Sequence, residues 1–535
     1  MNIVDLLVRQ AESRPDATAI VDARHRITFK QLEDESARYA ASLRAAGLEP
    51  GETALVVCPM SIRLYVTVLG LLRLGLVAMF ADPSAGSAHV DRCCRRVRPR
   101  AFLGTGRAQV LRLLSRAVRE IPIHRAVAGR GRGPAFEVPV ERSGATHPAV
   151  VTFTTGSTGM PKAAVRTHGF LLAQHRAVTA ALGLAPGDVD LTTLPLFVLA
   201  NLGSGVTSVI PDADLRYPGT VNPQPILQQI RRHRATRTVA SPALLDRIAW
   251  AALGDGMPLD SLTHVFTGGG PVFPGVMDRL ASVAPHGRLV AVYGSTEAEP
   301  IATLDWSEVS AQDRVAIGRG GGLLAGRQVS SIGLAILPDR WGEPIGSLSQ
   351  DQFARDSLPA GQPGEIVVSG EHVLAGYLGG VGDGENKFTV GETRWHRTGD
   401  AGYLDACGRL WLMGRSAAAL DDRRGRVYPF AIEAAAHECA GVERAALVGS
   451  NERRILAVQV SDRESDGVRE GLAHALNWAS IDEVRIVPVI PVDPRHNAKV
   501  DYERLRAVVE RQPRARGGAR RLRAPGTAAA TSRSS

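Results

Sequence analysis

The chain has 535 residues, 44% of them hydrophobic and 22% charged, which gives room for two or three domains and a large core. Its formal charge of +9 is concentrated at one end: residues 511–535 hold seven arginines and no acid, which leaves only +2 on residues 1–510. That distribution argues against a nucleic-acid-binding face on the body.

Five scattered cysteines (Cys58, Cys93, Cys94, Cys407 and Cys439) suit neither a disulfide framework nor a zinc site, and they point to a reducing compartment. The opening Met1–Leu7 has no basic region followed by an apolar core, so no secretory signal is expected and the protein reads as cytoplasmic. The longest apolar run, Leu64 to Ala81, carries Arg73 and two glycines. It predicts a buried helix feeding a buried strand, with no integral membrane segment.

In chain order, Ile27–Leu32 opens an amphipathic helix through Leu43, and Ala54–Val57 reads as a buried strand. Ala149-Val150-Val151-Thr152-Phe153 is a strand emptying into Thr154-Thr155-Gly156-Ser157-Thr158-Gly159-Met160-Pro161-Lys162. Helices are predicted near 171–182, 224–233 and 242–253, and strands at Thr238–Ala240, His264–Phe266 and Leu289–Val292. Beyond residue 310, glycines and short alternating strands take over, with a hairpin turn at Asp405-Ala406-Cys407-Gly408. A last unit follows: helix 430–439, strands 444–449 and 454–460, helix 467–478 and strand 484–490. The fold class is α/β: a large N-terminal domain (1–414) of helix-covered sheets plus a β-rich subdomain, a small mobile C-terminal α+β lid domain (415–510), and a disordered Arg-rich tail (511–535).

Residues 154–162 form the most informative stretch. Four hydroxyl side chains, two glycines and a lysine make a phosphate clamp: the glycines admit backbone N–H groups, the hydroxyls add donors, and Lys162 adds full charge. The spacing is not that of a Walker A loop, and an ordinary polar loop has a similar composition. Lysine usage sharpens the reading. Only Lys30, Lys162, Lys387 and Lys499 stand against 59 arginines, so a lysine in a motif reads as a chosen point charge.

Four further segments join it. Thr267-Gly268-Gly269-Gly270-Pro271 lacks side chains where a flat ring would need space. Tyr293-Gly294-Ser295-Thr296-Glu297 offers an aromatic face, a hydroxyl and a carboxylate. Trp395-His396-Arg397-Thr398-Gly399-Asp400 ends in an acid suited to a ribose diol, with Gly414-Arg415 adding a cation. Arg495-His496-Asn497-Ala498-Lys499 places a lysine near the end of the small unit.

In this order and spacing the segments resemble the ANL superfamily of adenylate-forming, AMP-binding enzymes: acyl-CoA synthetases, adenylation domains and luciferases. The resemblance covers roughly residues 10–506 and implies ATP and Mg²⁺ as cofactors. It implies that Thr154, Thr155, Gly156, Ser157, Thr158, Gly159 and Lys162 hold the β- and γ-phosphates. Gly269, Gly270, Pro271 and Tyr293 would form the adenine slot. Thr296 would touch the α-phosphate, Glu297 would bind Mg²⁺, and Asp400 would take the ribose with Arg415 nearby. Lys499 would contact both the carboxylate and the α-phosphate, offsetting the repulsion of two anions once the lid closes.

Within the superfamily, Cys93–Phe102, Ser241-Pro242-Ala243-Leu244-Leu245 and Pro491–Lys499 resemble the β-lactone synthetases of olefin and β-lactone natural-product pathways. Those enzymes adenylate a 2-alkyl-3-hydroxy fatty acid, whose β-hydroxyl then closes a β-lactone. Departures from the acyl-CoA ligase pattern agree: Pro195-Leu196-Phe197-Val198 lacks the usual His, Gly414-Arg415-Ser416-Ala417 lacks the hinge acid, and the next motif keeps only Gly425, Pro429 and Glu433.

An internal hydroxyl needs neither lid rotation nor a thiol tunnel. Alternatives stay open: a fatty acyl-CoA ligase, an acyl-AMP or acyl-carrier-protein ligase, or a degenerate adenylate-binding scaffold. The resemblance also implies a long-chain hydroxy fatty acid substrate and pathway partners of the thiolase, reductase and hydrolase-type decarboxylase kinds. Helix 171–182 with Leu194–Leu202 are the expected pocket walls. His168 is read as a structural histidine and His496 as orienting the lysine loop.

Overall fold

A computed structural model describes residues 1–129, 138–155, 161–216, 218–460, 465–492 and 499–511. Two large sheets carry most of the chain. The first has six strands in the order Ile123–Ala126, Ala101–Gly104, Thr53–Val57, Val77–Met79, Pro148–Thr155 and Pro161–Thr167; all neighbours are parallel except the last pair. The second has fourteen strands and changes character along its width. From Thr18–Val21 through Thr207–Val209, Val189–Thr192, Arg237–Ala240, His264–Gly268 and Arg288–Ser295 it is parallel. From Ala298–Asp305 through Leu323–Gln328, Leu410–Arg415, Thr393–Leu404 and Gly364–Ser369 to Gly333–Leu337 it is antiparallel. The change of texture in the sequence follows from this switch. Parallel strands covered on both faces are continuous apolar runs, whereas antiparallel strands alternate.

The apolar run resolves into helix Ile62–Arg73 and strand Val77–Met79. Every residue of that helix except Arg63 is buried, so it packs on all sides. Arg73 closes it: its guanidinium donates to Glu33 Oε1 at 2.6 Å and to the Val138 carbonyl at 2.8 Å, which pairs the buried charge. Among the described residues no helix is long and apolar enough to cross a membrane. All five cysteines are free.

The C-terminal unit is a three-stranded sheet, Val442–Ser450, Arg453–Val460 and Glu483–Ile486, flanked by helices Pro429–His437, Ser465–Ala475 and Tyr502–Arg511. The predicted strand 484–490 stops at Ile486 because Pro488 has no N–H for the ladder. The predicted helix 467–478 runs Ser465–Ala475, and the described chain ends in helix Tyr502–Arg511, which the sequence reading did not identify. The retained trio of the weak motif is structural here. Gly425 takes φ +100° in a hairpin, Pro429 opens a helix, and Glu433 lies at the centre of the unit. Its Oε1 accepts from the Leu447 amide at 2.9 Å and the Tyr502 hydroxyl at 2.9 Å, tying the last helix to the sheet.

Burial raises the Glu433 carboxyl to about 7, with the Leu447 amide and the Tyr502 hydroxyl opposing. A carboxyl whose folded pKa lies above its unfolded value holds its proton more tightly when folded. Stability therefore falls as pH rises from about 4.5 through about 7. Glu433→Gln is expected to flatten that dependence, measured as denaturant midpoints across the interval. A midpoint–pH slope equal to the wild type's would contradict the assignment.

Candidate active site

The strands on either side of the glycine-rich stretch, Pro148–Thr155 and Pro161–Thr167, pair antiparallel. Thr154 pairs with Lys162 and Thr155 with Pro161, so Lys162 stands on the returning strand instead of in the loop. Gly156, Ser157, Thr158 and Gly159 lie outside the described residues. Lys162 is buried; its ammonium meets Glu385 Oε2 at 2.6 Å and lies 5.8 Å from the centre of the Tyr377 ring.

Tyr377 links this hairpin to the second sheet by donating its hydroxyl to Glu297 Oε1 at 2.8 Å. Burial works to raise the Glu297 carboxyl, but the His396 ring, the Tyr377 hydroxyl and Lys387 together hold it below the ordinary range. Lys387 donates to the Leu374 carbonyl and lies 5.9 Å from the centre of the Tyr377 ring. Burial lowers its ammonium to about 7 despite Glu297 and Asp383. Burial likewise drives His396 down to about 3.

Thr296 and Glu297 sit in the tight turn joining strands Arg288–Ser295 and Ala298–Asp305, the point where the sheet becomes antiparallel. That turn is held by Arg166, which is 2% exposed. Its Nη1 donates to Thr152 Oγ1 and its Nη2 to the Thr296 carbonyl, both at 2.8 Å.

Gly268–Pro271, Tyr293, Asp400 and Arg415 lie on neighbouring strands and turns of the second sheet. Gly268 ends its strand so close to Val292 that a Cβ would lie 2.4 Å from the Val292 carbonyl oxygen. Gly269 then turns off with φ +78° into open space, and Gly270 and Pro271 are only partly covered. The next strand brings Tyr293, whose hydroxyl donates to Asp400 Oδ2 at 2.9 Å. Asp400 faces Arg415 across the ladder, with Arg415 Nε 3.3 Å from Oδ1 and Nη1 donating to the Thr398 carbonyl at 3.1 Å. The strand carrying Asp400 is anchored by Arg397, fully buried, which donates to both oxygens of the equally buried Glu365 at 2.7–3.2 Å.

Lys499 follows the undescribed segment 493–498, in which Arg495, His496, Asn497 and Ala498 fall. The bridge between Val492 and Val500 and the Asp501 amide on the Pro491 carbonyl (2.9 Å) pin its base. Its charge is felt on the second sheet, at Glu299. Burial raises the Glu299 carboxyl to about 7, and Arg166 and Lys499 both act to lower it. Glu299 lines a small apolar cleft between helices His168–Leu182 and Pro195–Ser204, the walls expected from the sequence. The Val198 side chain is fully buried in the core. His168 is structural: its Nδ1 accepts from the Ile3 amide at 3.2 Å, and burial lowers it to about 4.

The structure thus brings Lys162, Thr296, Glu297 and Lys499 around one region, with Tyr293, Asp400 and Arg415 in an adjoining network. Sequence reasoning did not single out Tyr377, Arg166, Glu299 or Glu385. Lys387 was noted for its rarity but given no role; that rarity was the available signal.

Residues 7–378 match the family described as AMP-binding enzyme, so the chain belongs to that family: it is an ATP-dependent, adenylate-forming ligase of the ANL class. Among known proteins it is similar to the olefin beta-lactone synthetase of Stenotrophomonas maltophilia (strain K279a), at 31% identity over 94% of this chain and 97% of that protein. It is similarly related to the olefin beta-lactone synthetase of Xanthomonas campestris pv. campestris, at 30% identity over 94% and 96%. The fold is shared with the amide bond synthetase McbA from Marinactinospora thermotolerans, with TM-score 0.78 and 23% identity over 95% of this chain and 99% of that one. It is also shared with ATP-bound MatB from Rhodopseudomonas palustris, with TM-score 0.77 and 19% identity over 96% and 99%.

Tyr377→Phe is expected to raise the Glu297 carboxyl pKa and to slow adenylation about tenfold, which corresponds to roughly 1.4 kcal/mol for one hydrogen bond to a charged group. Pyrophosphate exchange measures it, and an unchanged rate would show that this bond has no part in turnover.

Proposed function

We propose that the protein adenylates a 2-alkyl-3-hydroxy fatty acid and then closes it to a β-lactone. In the first step a carboxylate oxygen attacks the α-phosphorus of ATP and pyrophosphate leaves. In the second, the β-hydroxyl oxygen bonds to the acyl carbon and the acyl carbon–phosphate oxygen bond breaks. The electron pair leaves on AMP and the hydroxyl proton is released. The observation that carries this reading is the near full-length similarity to two proteins named olefin beta-lactone synthetase. The apolar cavity lined by Glu299 and the missing hinge acid at Ala417 support it.

In this reading Thr154, Thr155 and residues 156–159 with Lys162 hold the outer phosphates, Thr296 the α-phosphate, and Lys499 the α-phosphate and the acid. Gly269, Gly270, Pro271 and Tyr293 take the adenine, and Asp400 and Arg415 take the ribose. The division into a body (1–414), a lid (415–510) and a tail (511–535) belongs to the same proposal, as do its pathway partners.

Glu297 suits Mg²⁺. Its Oε1 carries the Tyr377 hydroxyl, while Oε2 has no hydrogen bond among the described residues. The described residues contain no cluster of three or more His, Cys, Asp or Glu able to hold a metal. One carboxylate plus phosphate oxygens and water is the usual way Mg²⁺ is held. When bound, the ion would offset charge on the phosphates.

Purified protein with ATP, Mg²⁺ and a 2-alkyl-3-hydroxy fatty acid is expected to yield lactone and AMP without coenzyme A. Product analysis by mass spectrometry decides it; AMP appearing only when coenzyme A or a carrier protein is added would replace lactone formation with thioester ligation. Lys499→Ala is expected to abolish adenylate formation while ATP still binds, read by pyrophosphate release and calorimetry. Wild-type release from that variant would remove Lys499 from its role.

A further inference from the structure

Glu299 carries a carboxylate that the fold does not use. Its backbone carbonyl accepts from Gln174 Nε2 at 3.4 Å, but among the described residues its side chain makes no hydrogen bond and no ion pair. Arg166 and Lys499 act on it only through their charge. A half-buried carboxylate without a partner on a largely apolar wall calls for an explanation.

The cavity supplies one. Leu171, Val178, Leu196, Phe197 and Ala200 give it hydrocarbon walls. The other polar side chains on the lining are committed: His175 Nε2 to Ser204 Oγ at 3.1 Å, and the Gln174 amide to the Glu299 carbonyl. An acyl chain entering this space with its carboxyl end toward Lys499 meets one carboxylate with open acceptor positions. Its open carboxyl oxygens can accept from a hydroxyl, and a carbonyl or an ether has no hydrogen to give them.

We propose that Glu299 accepts the hydrogen bond of the substrate's 3-hydroxyl, holding that oxygen beside the activated acyl carbon and making the enzyme selective for 3-hydroxy acids. This rests on the lactone reading given above and assigns the residue that recognises its nucleophile. A site built to bond a hydroxyl rejects the analogue lacking it, because the buried partner is then left unpaired. Fixing the oxygen near the acyl carbon also supplies the proximity that ring closure needs.

The test compares a 2-alkyl-3-hydroxy acid with the matching 2-alkyl acid, using the full chain with ATP and Mg²⁺. Pyrophosphate exchange gives kcat/KM for each acid, and lactone is measured separately. The wild type is expected to favour the hydroxy acid by about 10²-fold or more. Glu299→Leu should bring the hydroxy acid's kcat/KM down to within about threefold of the other's and suppress lactone. Glu299→Gln, which keeps one acceptor oxygen, should restore part of the preference. A preference in Glu299→Leu equal to the wild type's overturns the inference, as does loss of exchange with both acids together in a variant with wild-type circular dichroism. Absence of lactone from the wild-type protein defeats the lactone reading instead, while the ratio of exchange rates still tests Glu299.

Discussion

One guanidinium joins the two sheets at the point where the chemistry is gathered. Arg166 leaves the returning strand of the glycine-rich hairpin, is fully enclosed, and bonds Thr152 on one side and the Thr296 carbonyl on the other. The hairpin belongs to the six-stranded sheet and Thr296 to the fourteen-stranded one, so the relative placement of Lys162 and Glu297 depends on this contact. Its cost is desolvation, which lowers the Arg166 pKa, with Glu297 and Glu299 acting to raise it. A lysine would supply one compact charge where the planar fork reaches two acceptors in fixed directions. The Tyr377 bond to Glu297 is a second tie across the same seam.

Three carboxylates near this seam have been given three environments. Glu297 accepts a hydroxyl and stays below the ordinary carboxylate range. Asp400 is paired with Arg415 and bonded by Tyr293. Glu299, two residues from Glu297, faces hydrocarbon and is raised by burial. Chain neighbours thus have opposite surroundings because the strand that begins at Ala298 turns one toward the seam and the other toward the cavity. Separating carboxylates by environment pushes their protonation equilibria apart within one region.

The parallel strands were legible because strands buried on both faces are written as unbroken apolar runs, and the helices because their periodicity is 3.6. Strand Ala298–Asp305 was not, since Pro300 within it argues against a strand. The motif residues were legible as an ordered set. The side chains that position them were not: Arg166 is one arginine among 59, and Tyr377 has no local pattern around it. Glu299 acquires meaning only from helices more than ninety residues earlier in the chain. Contacts of that range are set by the packing of the two sheets, which no window of sequence contains.

The C-terminal unit shows why a weakened hinge motif need not mean a weakened site. Lys499 stands three residues before Tyr502, whose hydroxyl is fixed by Glu433, which also takes the Leu447 amide. The unit meets the body through the Phe273–His437 ring stack, with centroids 3.7 Å apart, and through Trp478, which would be 2.8 Å from a Cβ at Gly320. These contacts favour the arrangement in which Lys499 acts on Glu299. A thioester-forming enzyme must leave such an arrangement to admit an external thiol, and the hinge acid serves that departure. When the nucleophile is part of the acid already bound, leaving confers no advantage, because proximity is supplied by the substrate itself. The residues retained, Gly425, Pro429 and Glu433, are the ones that fold the unit, and in the proposed reading Ala417 stands where only rotation would require an acid.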